Sequence, residues 1–188
     1  EMLEIFQEES WVQRLLDVEA ALAWAHGEVG DIPKEDADRI VRMASIKYVK
    51  VSRIKEIEKE IKHDIMALVR ALAEVCGSSG AYVHLGATSY DIVDTAWALI
   101  LRDALGIIKS RLRVIIEKLI ELTIKHQDTL TMGRTHGQHA LPITFGFKLA
   151  NYVYELSRSY ERLCDLEKRL LRCKMSGAVG TKAAWGCL

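Results

Sequence analysis

Apolar residues recur at three- and four-residue spacing along almost the whole chain, which predicts helix nearly everywhere. Ser10 as an N-cap and Gly30 as a stop bracket a helix over residues 11–29, with Leu15, Val18, Leu22 and Ala25 as its apolar stripe. Pro33 suits the first turn of a short helix to about residue 44. Ser52 caps a helical segment through about residue 74, where Ile54, Ile57, Ile61, Ile65, Leu68 and Leu72 keep the same spacing. Gly77-Ser78-Ser79-Gly80 ends that segment and marks the expected subdomain boundary, giving domains 1–80 and 81–188. Residues 82–87 read as a loop or a short extended piece.

Residues 89–126 contain no proline and one interior glycine, Gly106, so they predict one helix of ~57 Å at ~1.5 Å per residue. Leu105, Ile108, Leu112, Ile115, Leu119 and Leu122 line one face, and Ile107, Val114, Ile120 and Ile124 line others. A helix apolar on several sides must be surrounded. A second long helix is expected over 143–175, with a bundle-type seam of Leu149, Val153, Leu156, Tyr160 and Leu163. Two helices of this kind cannot cover each other, so further chain or other subunits must do so. The fold class is therefore all-α: a small helical domain followed by the start of a long-helix bundle.

Three breaks in this pattern carry chemistry. Gly133, Gly137 and Pro142 interrupt helical periodicity between the two long helices and enclose Arg134, Thr135, His136, Gln138 and His139 in a loop. By residue type the loop reads as a polar interhelical turn, as an H-x-x-H metal pair, or as a general acid beside anion-binding groups. Thr88-Ser89-Tyr90-Asp91 resembles a capping box, and the same helix N-terminus can hold a carboxylate or phosphate. Asp91 opposes that anion unless it is paired. Lys62-His63-Asp64 interrupts the 52–74 pattern as a solvated turn or as part of a site. His84 allows both readings, while Cys76 and Trp97 read as core.

Composition narrows the classes. The 188 residues are 49% hydrophobic and 28% charged, enough apolar content for a sizeable core. Lys+Arg and Asp+Glu both number 26, a balance that argues against general nucleic-acid or membrane-surface binding. No apolar run approaches the ~18 residues of a membrane span. Cys76, Cys164, Cys173 and Cys187 form no C-x-x-C pair, which fits reduced cytosolic thiols better than a disulfide frame. The opening at Glu1 and the stop after Cys187-Leu188 read as the ends of a piece of something longer.

Taken in order, Lys62-His63-Asp64-Ile65-Met66-Ala67, the stretch from Val83-His84-Leu85-Gly86-Ala87-Thr88-Ser89 through Asp94-Thr95, and Gly133-Arg134-Thr135-His136-Gly137-Gln138-His139-Ala140-Leu141-Pro142 resemble the adenylosuccinate lyases of the fumarase/aspartase superfamily. The similarity runs from the helix around Leu15–Ala21 to Gly177-Ala178-Val179-Gly180-Thr181. It departs at Lys62, where Arg is frequent, and at Tyr90, where Asn is more usual. The resemblance implies a cytoplasmic homotetramer of purine synthesis. It would eliminate fumarate from adenylosuccinate, giving AMP, and from the succinylated imidazole-carboxamide ribotide SAICAR, giving AICAR, with no metal or organic cofactor. It makes His136 the general acid, with His63 supporting. Thr88 and Ser89 would hold the succinyl carboxylate with Thr135 adjacent, and Lys62, His63 and Asp64 would contact the nucleotide part. His84, Asp91, Gln138 and His139 would support them. The family's catalytic Ser would lie beyond Leu188, and an Arg-Tyr phosphate-binding pair before Glu1. Another lyase of the superfamily (fumarase or argininosuccinate lyase) and a non-catalytic helical assembly module are the alternatives.

Overall fold

The computed structural model describes residues 1–186, so Cys187 and Leu188 lie outside the described residues. Among the described residues, seven α-helices, two 3₁₀ segments and one hairpin follow in order: α1 Met2–Ile5, α2 Glu8–Val29, α3 Lys34–Met43, α4 Val51–Ile61, α5 Asp64–Cys76, a 3₁₀ segment Gly77–Tyr82, α6 Ser89–Lys125, β1 Leu130–Thr135, β2 Gln138–Thr144, α7 Phe145–Leu170 and a 3₁₀ turn Ala183–Trp185. The class is all-α, as the periodicity predicts. Two compact units emerge: Glu1–Leu101 with the chain from Leu171 onward, and Arg102–Leu170.

The core of the first unit gathers Leu15, Leu16 and Leu22 of α2, Ile54 and Ile57 of α4, Leu68 and Leu72 of α5, and Ile92 and Ala96 of α6. Each large aliphatic buried there contributes ~1.5–3 kcal/mol. Gly30 closes α2 in the left-handed region at φ 82, a conformation glycine enters without a Cβ clash. Several starts differ from expectation. Ser10 lies inside α2, whose N-cap is Gln7, and the Ser10 hydroxyl turns back to the Glu4 carbonyl. Lys50, not Ser52, precedes α4, and Pro33 occupies the N-cap position of α3. The expected 52–74 helix is two helices, because Lys62 turns left-handed at φ 56 and ends α4. Ala25 is exposed, and its place in the buried stripe of α2 is taken by Glu19 and His26. Trp97 is 43% exposed and leans on Trp11, with ring centroids 4.8 Å apart, so it caps the core from outside.

The 37-residue α6, which belongs to the second unit from Arg102 onward, spans almost the whole predicted range. α7 runs from 145 to 170 rather than from 143 to 175, since β2 claims its first residues. Its predicted seam is the more sheltered face: Leu149 is buried and Val153, Leu156, Tyr160 and Leu163 are half-buried. Lys109 Nζ reaches Glu167 at 2.5 Å, tying α6 to α7. Gly146 makes a close approach possible, because a Cβ there would stand 2.6 Å from the Thr123 carbonyl oxygen and 2.8 Å from that of His126. Ile108, Val114, Ile115, Ile120, Leu122 and Ile124 remain 42–63% exposed on the described chain.

Candidate active site

The stretch 131–142 is a β-hairpin, not an irregular loop. β1 and β2 pair antiparallel, closing on Thr135↔Gln138. His136 at φ 50 and Gly137 at φ 73 form the two-residue turn, with both φ values positive as in a type I′ hairpin. The register slips between Met132 and Arg134, at Gly133. A Cβ on Gly133 would meet the Leu141 carbonyl oxygen at 2.8 Å, so the bulge needs glycine. The hairpin thus holds His136 at an exposed tip, with Thr135 and Gln138 flanking it. An Arg134 guanidinium N–H lies 3.2 Å from His139 Nε2 across the strands. A proton donor on a paired hairpin is held more firmly than one on a free loop.

Lys62, His63 and Asp64 form the exposed joint between α4 and α5. His63 is the N-cap of α5, and its Nδ1 accepts from the Met66 N–H at 3.2 Å. In a neutral ring, an Nδ1 that accepts leaves the proton on Nε2, a donor on a side chain 47% exposed. The Asp64 carboxylate accepts from the Ile65 N–H at 2.7 Å. The solvated turn is thus what the structure shows here, with its side chains exposed.

The N-terminus of α6 is the most organised part. Asp91 is 0% exposed and accepts four hydrogen bonds: from the Thr88 N–H at 3.1 Å, the Ser176 N–H at 2.9 Å, the Gly177 N–H at 3.0 Å and Lys174 Nζ at 3.1 Å. Burial pushes its carboxyl upward, but these four donors outweigh it and hold Asp91 below the ordinary carboxylate range. Asp91 is thereby the paired acid that an anion site on this helix requires. The capping box is only half built: Asp91 serves the Thr88 N–H, while neither the Thr88 nor the Ser89 hydroxyl bonds to another described residue. Thr95 adds a second tie, its hydroxyl donating to the Lys174 carbonyl at 3.0 Å and accepting from the Lys174 N–H at 3.1 Å. Between the walls so joined lies a cleft of about 370 Å³ lined by Gly86, Thr88, Ser176, Gly177, Thr181 and Lys182, among others. Two threonines, a lysine and a helix N-terminus suit an anionic group. Ser176, Thr181 and Lys182 were not singled out by sequence pattern, although hydroxyl and amine side chains flanking Gly177 and Gly180 were the available signal.

His84 stands at φ 63 with Nδ1 2.6 Å from Glu19 Oε1. His26, buried in α2, bonds through Nε2 to the Leu85 carbonyl at 3.0 Å and through Nδ1 to Asp31 at 2.7 Å, and stacks on Trp185. Sequence reasoning missed Glu19 and His26; polar residues at stripe positions of an amphipathic helix were the signal. Burial pushes the Cys76 thiol up to about 11, consistent with a core role. Among the described residues no three His, Cys, Asp or Glu side chains gather as a metal would need.

Residues 1–187 match the family described as lyase. The adenylosuccinate lyase of Pyrococcus abyssi is 54% identical over 186 residues, covering 99% of this chain and 41% of that protein. The N-acetyl-S-(2-succino)cysteine lyase of Enterococcus italicus is 43% identical with the same coverage. Among solved structures, the fumarate lyase from Mesorhizobium sp. BNC1 superposes with a TM-score of 0.92 at 38% identity, over 98% of this chain and 44% of that one. The fold is thus the fumarase/aspartase-like one. The chain spans about two fifths of the length of the curated relatives it matches.

Proposed function

From the premise that this chain belongs to the lyase family over residues 1–187, we propose that it is the N-terminal part of an adenylosuccinate lyase. The enzyme releases fumarate from adenylosuccinate, giving AMP, and from SAICAR, giving AICAR, within cytoplasmic purine synthesis. The observation that carries this reading is the α6 terminus, where Thr88, its hydroxyl unused, lines a cleft and the nearby buried Asp91 is already paired with Lys174. Removing a proton beside a carboxylate builds negative charge, and fixed donors lower that barrier. Thr88 and Ser89 bind the succinyl carboxylate, and Thr135 is a further substrate contact. Lys62, His63 and Asp64 contact the nucleotide, with the His63 Nε2–H as donor. His136 protonates the departing nitrogen, which leaves poorly as an anion. Residues 81–188 begin the central bundle domain, and the exposed faces of α6 and α7 meet other subunits of a homotetramer.

A second reading follows from the 43% relative named for a succinylated cysteine. It keeps the succinyl contacts and changes only the leaving atom, from nitrogen to sulfur. The test uses the enzyme of the relatives' length carrying this chain, assayed for fumarate release from adenylosuccinate, N-acetyl-S-(2-succino)cysteine, argininosuccinate and malate. AMP formation, cut ~10²–10⁴-fold by His136→Ala, is the expected result. Release from the thioether alone selects the second reading. Intact oligomers with no turnover on any of the four select an assembly role.

A further inference from the structure

Glu19 stands where an apolar residue would serve the core better. It lies in the buried stripe of α2 at 1% exposure, and its Oε2 meets no hydrogen-bond donor among the described residues. A buried carboxylate oxygen without a donor works against folding. A buried ion pair replaced as a whole by well-packed apolar side chains of similar volume is often as stable or more so. Stability therefore does not account for this residue. Its other oxygen, Oε1, lies 2.6 Å from His84 Nδ1. His84 holds a left-handed φ of 63 without glycine's freedom, so its neighbours must impose that conformation. His84 Nε2 bonds to no group among the described residues. Two residues on, Gly86 begins the wall of the cleft that also contains Thr88.

We propose that Glu19 is a positioning residue acting through His84, an inference that rests on the cleft being the substrate site. The Glu19 carboxylate takes the Nδ1–H, fixes the ring's orientation and tautomer, and leaves Nε2 for the bound substrate. When the ring also carries a proton on Nε2, the pair has no net charge, and that N–H donates to an anionic oxygen of the substrate. His26 supports the same turn from α2 by bonding the Leu85 carbonyl.

The experiment is a double-mutant cycle in the enzyme of full relative length, with Glu19→Gln, His84→Ala and the double variant, read by melting midpoint and kcat/KM for adenylosuccinate. Glu19→Gln should keep or raise the melting midpoint while lowering kcat/KM about 10–100-fold, the range set by a charge-assisted hydrogen bond. The double variant should be within about threefold of His84→Ala alone, because Glu19 works only through that ring. Multiplying losses, or a lowered midpoint with unchanged kcat/KM, would overturn the proposal. So would failure of both Glu19→Gln and Glu19→Leu to fold. Wild-type activity judges the substrate reading separately. If another of the four compounds is the one cleaved, the cycle on that compound decides the role of Glu19. If none is cleaved, the proposal falls with the reading.

Discussion

Thr88 and Asp91 sit three positions apart at one helix terminus, and they divide the work between binding and structure. The Thr88 hydroxyl is not spent on the cap, so Thr88→Val should leave the melting midpoint nearly unchanged. The lost hydrogen bond to an anion should weaken fumarate inhibition by about 10–100-fold. A loss of ~0.5–2 kcal/mol of stability with unchanged inhibition would show that the hydroxyl caps after all. Asp91 gives the opposite profile. Its folded pKa is depressed, so its stabilisation is fully present above the ordinary value near pH ~4 and is lost as pH falls through the folded pKa. Acid denaturation of the wild type should therefore steepen below about pH 4. In Asp91→Asn that acid-dependent part should disappear, from a starting stability about 3–5 kcal/mol lower at neutral pH. Equal slopes below pH 4 in the two proteins would count against the clamp.

Elements here are joined by backbone contacts that admit no extra atoms. α7 starts against the end of α6 because Gly146 has no Cβ: its N–H donates to the His126 carbonyl at 2.8 Å, where a side chain would collide with three backbone atoms. Gly146→Ala should cost about 1–3 kcal/mol, the usual range for overpacking a tight contact, measured by urea unfolding of the full-length enzyme. An unchanged midpoint would mean the helices separate without loss. The hairpin shows the same economy, with Gly133 at the bulge and Gly137 at the turn setting where His136 stands.

At the scale of the whole molecule, the proposed roles include a proton donor, carboxylate-binding hydroxyls and nucleotide contacts, and the described residues offer no activated base to join them. Asp91 is consumed by four donors, and no hydroxyl at the cleft has a basic partner among the described residues. Residues 1–188 alone should therefore form no AMP from adenylosuccinate, as followed by chromatography of the purified chain. Adding a separately expressed remainder should restore turnover if the pieces reassociate. The aliphatic side chains left exposed on α6 also predict a tetramer for the full-length enzyme, since covering each is worth ~1.5–3 kcal/mol. A stable monomer by sedimentation at micromolar concentration would contradict that.

Local pattern alone determined much of this protein. The two long helices, the stop at Gly30, the interruption at Lys62-His63-Asp64 and the three ordered motifs that carry the family resemblance were all legible, because helical periodicity and motif identity are short-range properties. The hairpin was not, since its strands are short, polar and broken by Gly133 and Pro142, and only pairing across the turn distinguishes them from a loop. Ser10 and Ser52 misled because several polar residues near a helix start can cap it, and packing selects among them. Most of all, tertiary structure decided what the buried polar residues do. Asp91 meets Gly177 across 86 positions and Glu19 meets His84 across 65, and nothing along the chain encodes those partners. Periodicity specifies which face of a helix is buried, whereas packing decides which polar group on that face finds a partner there.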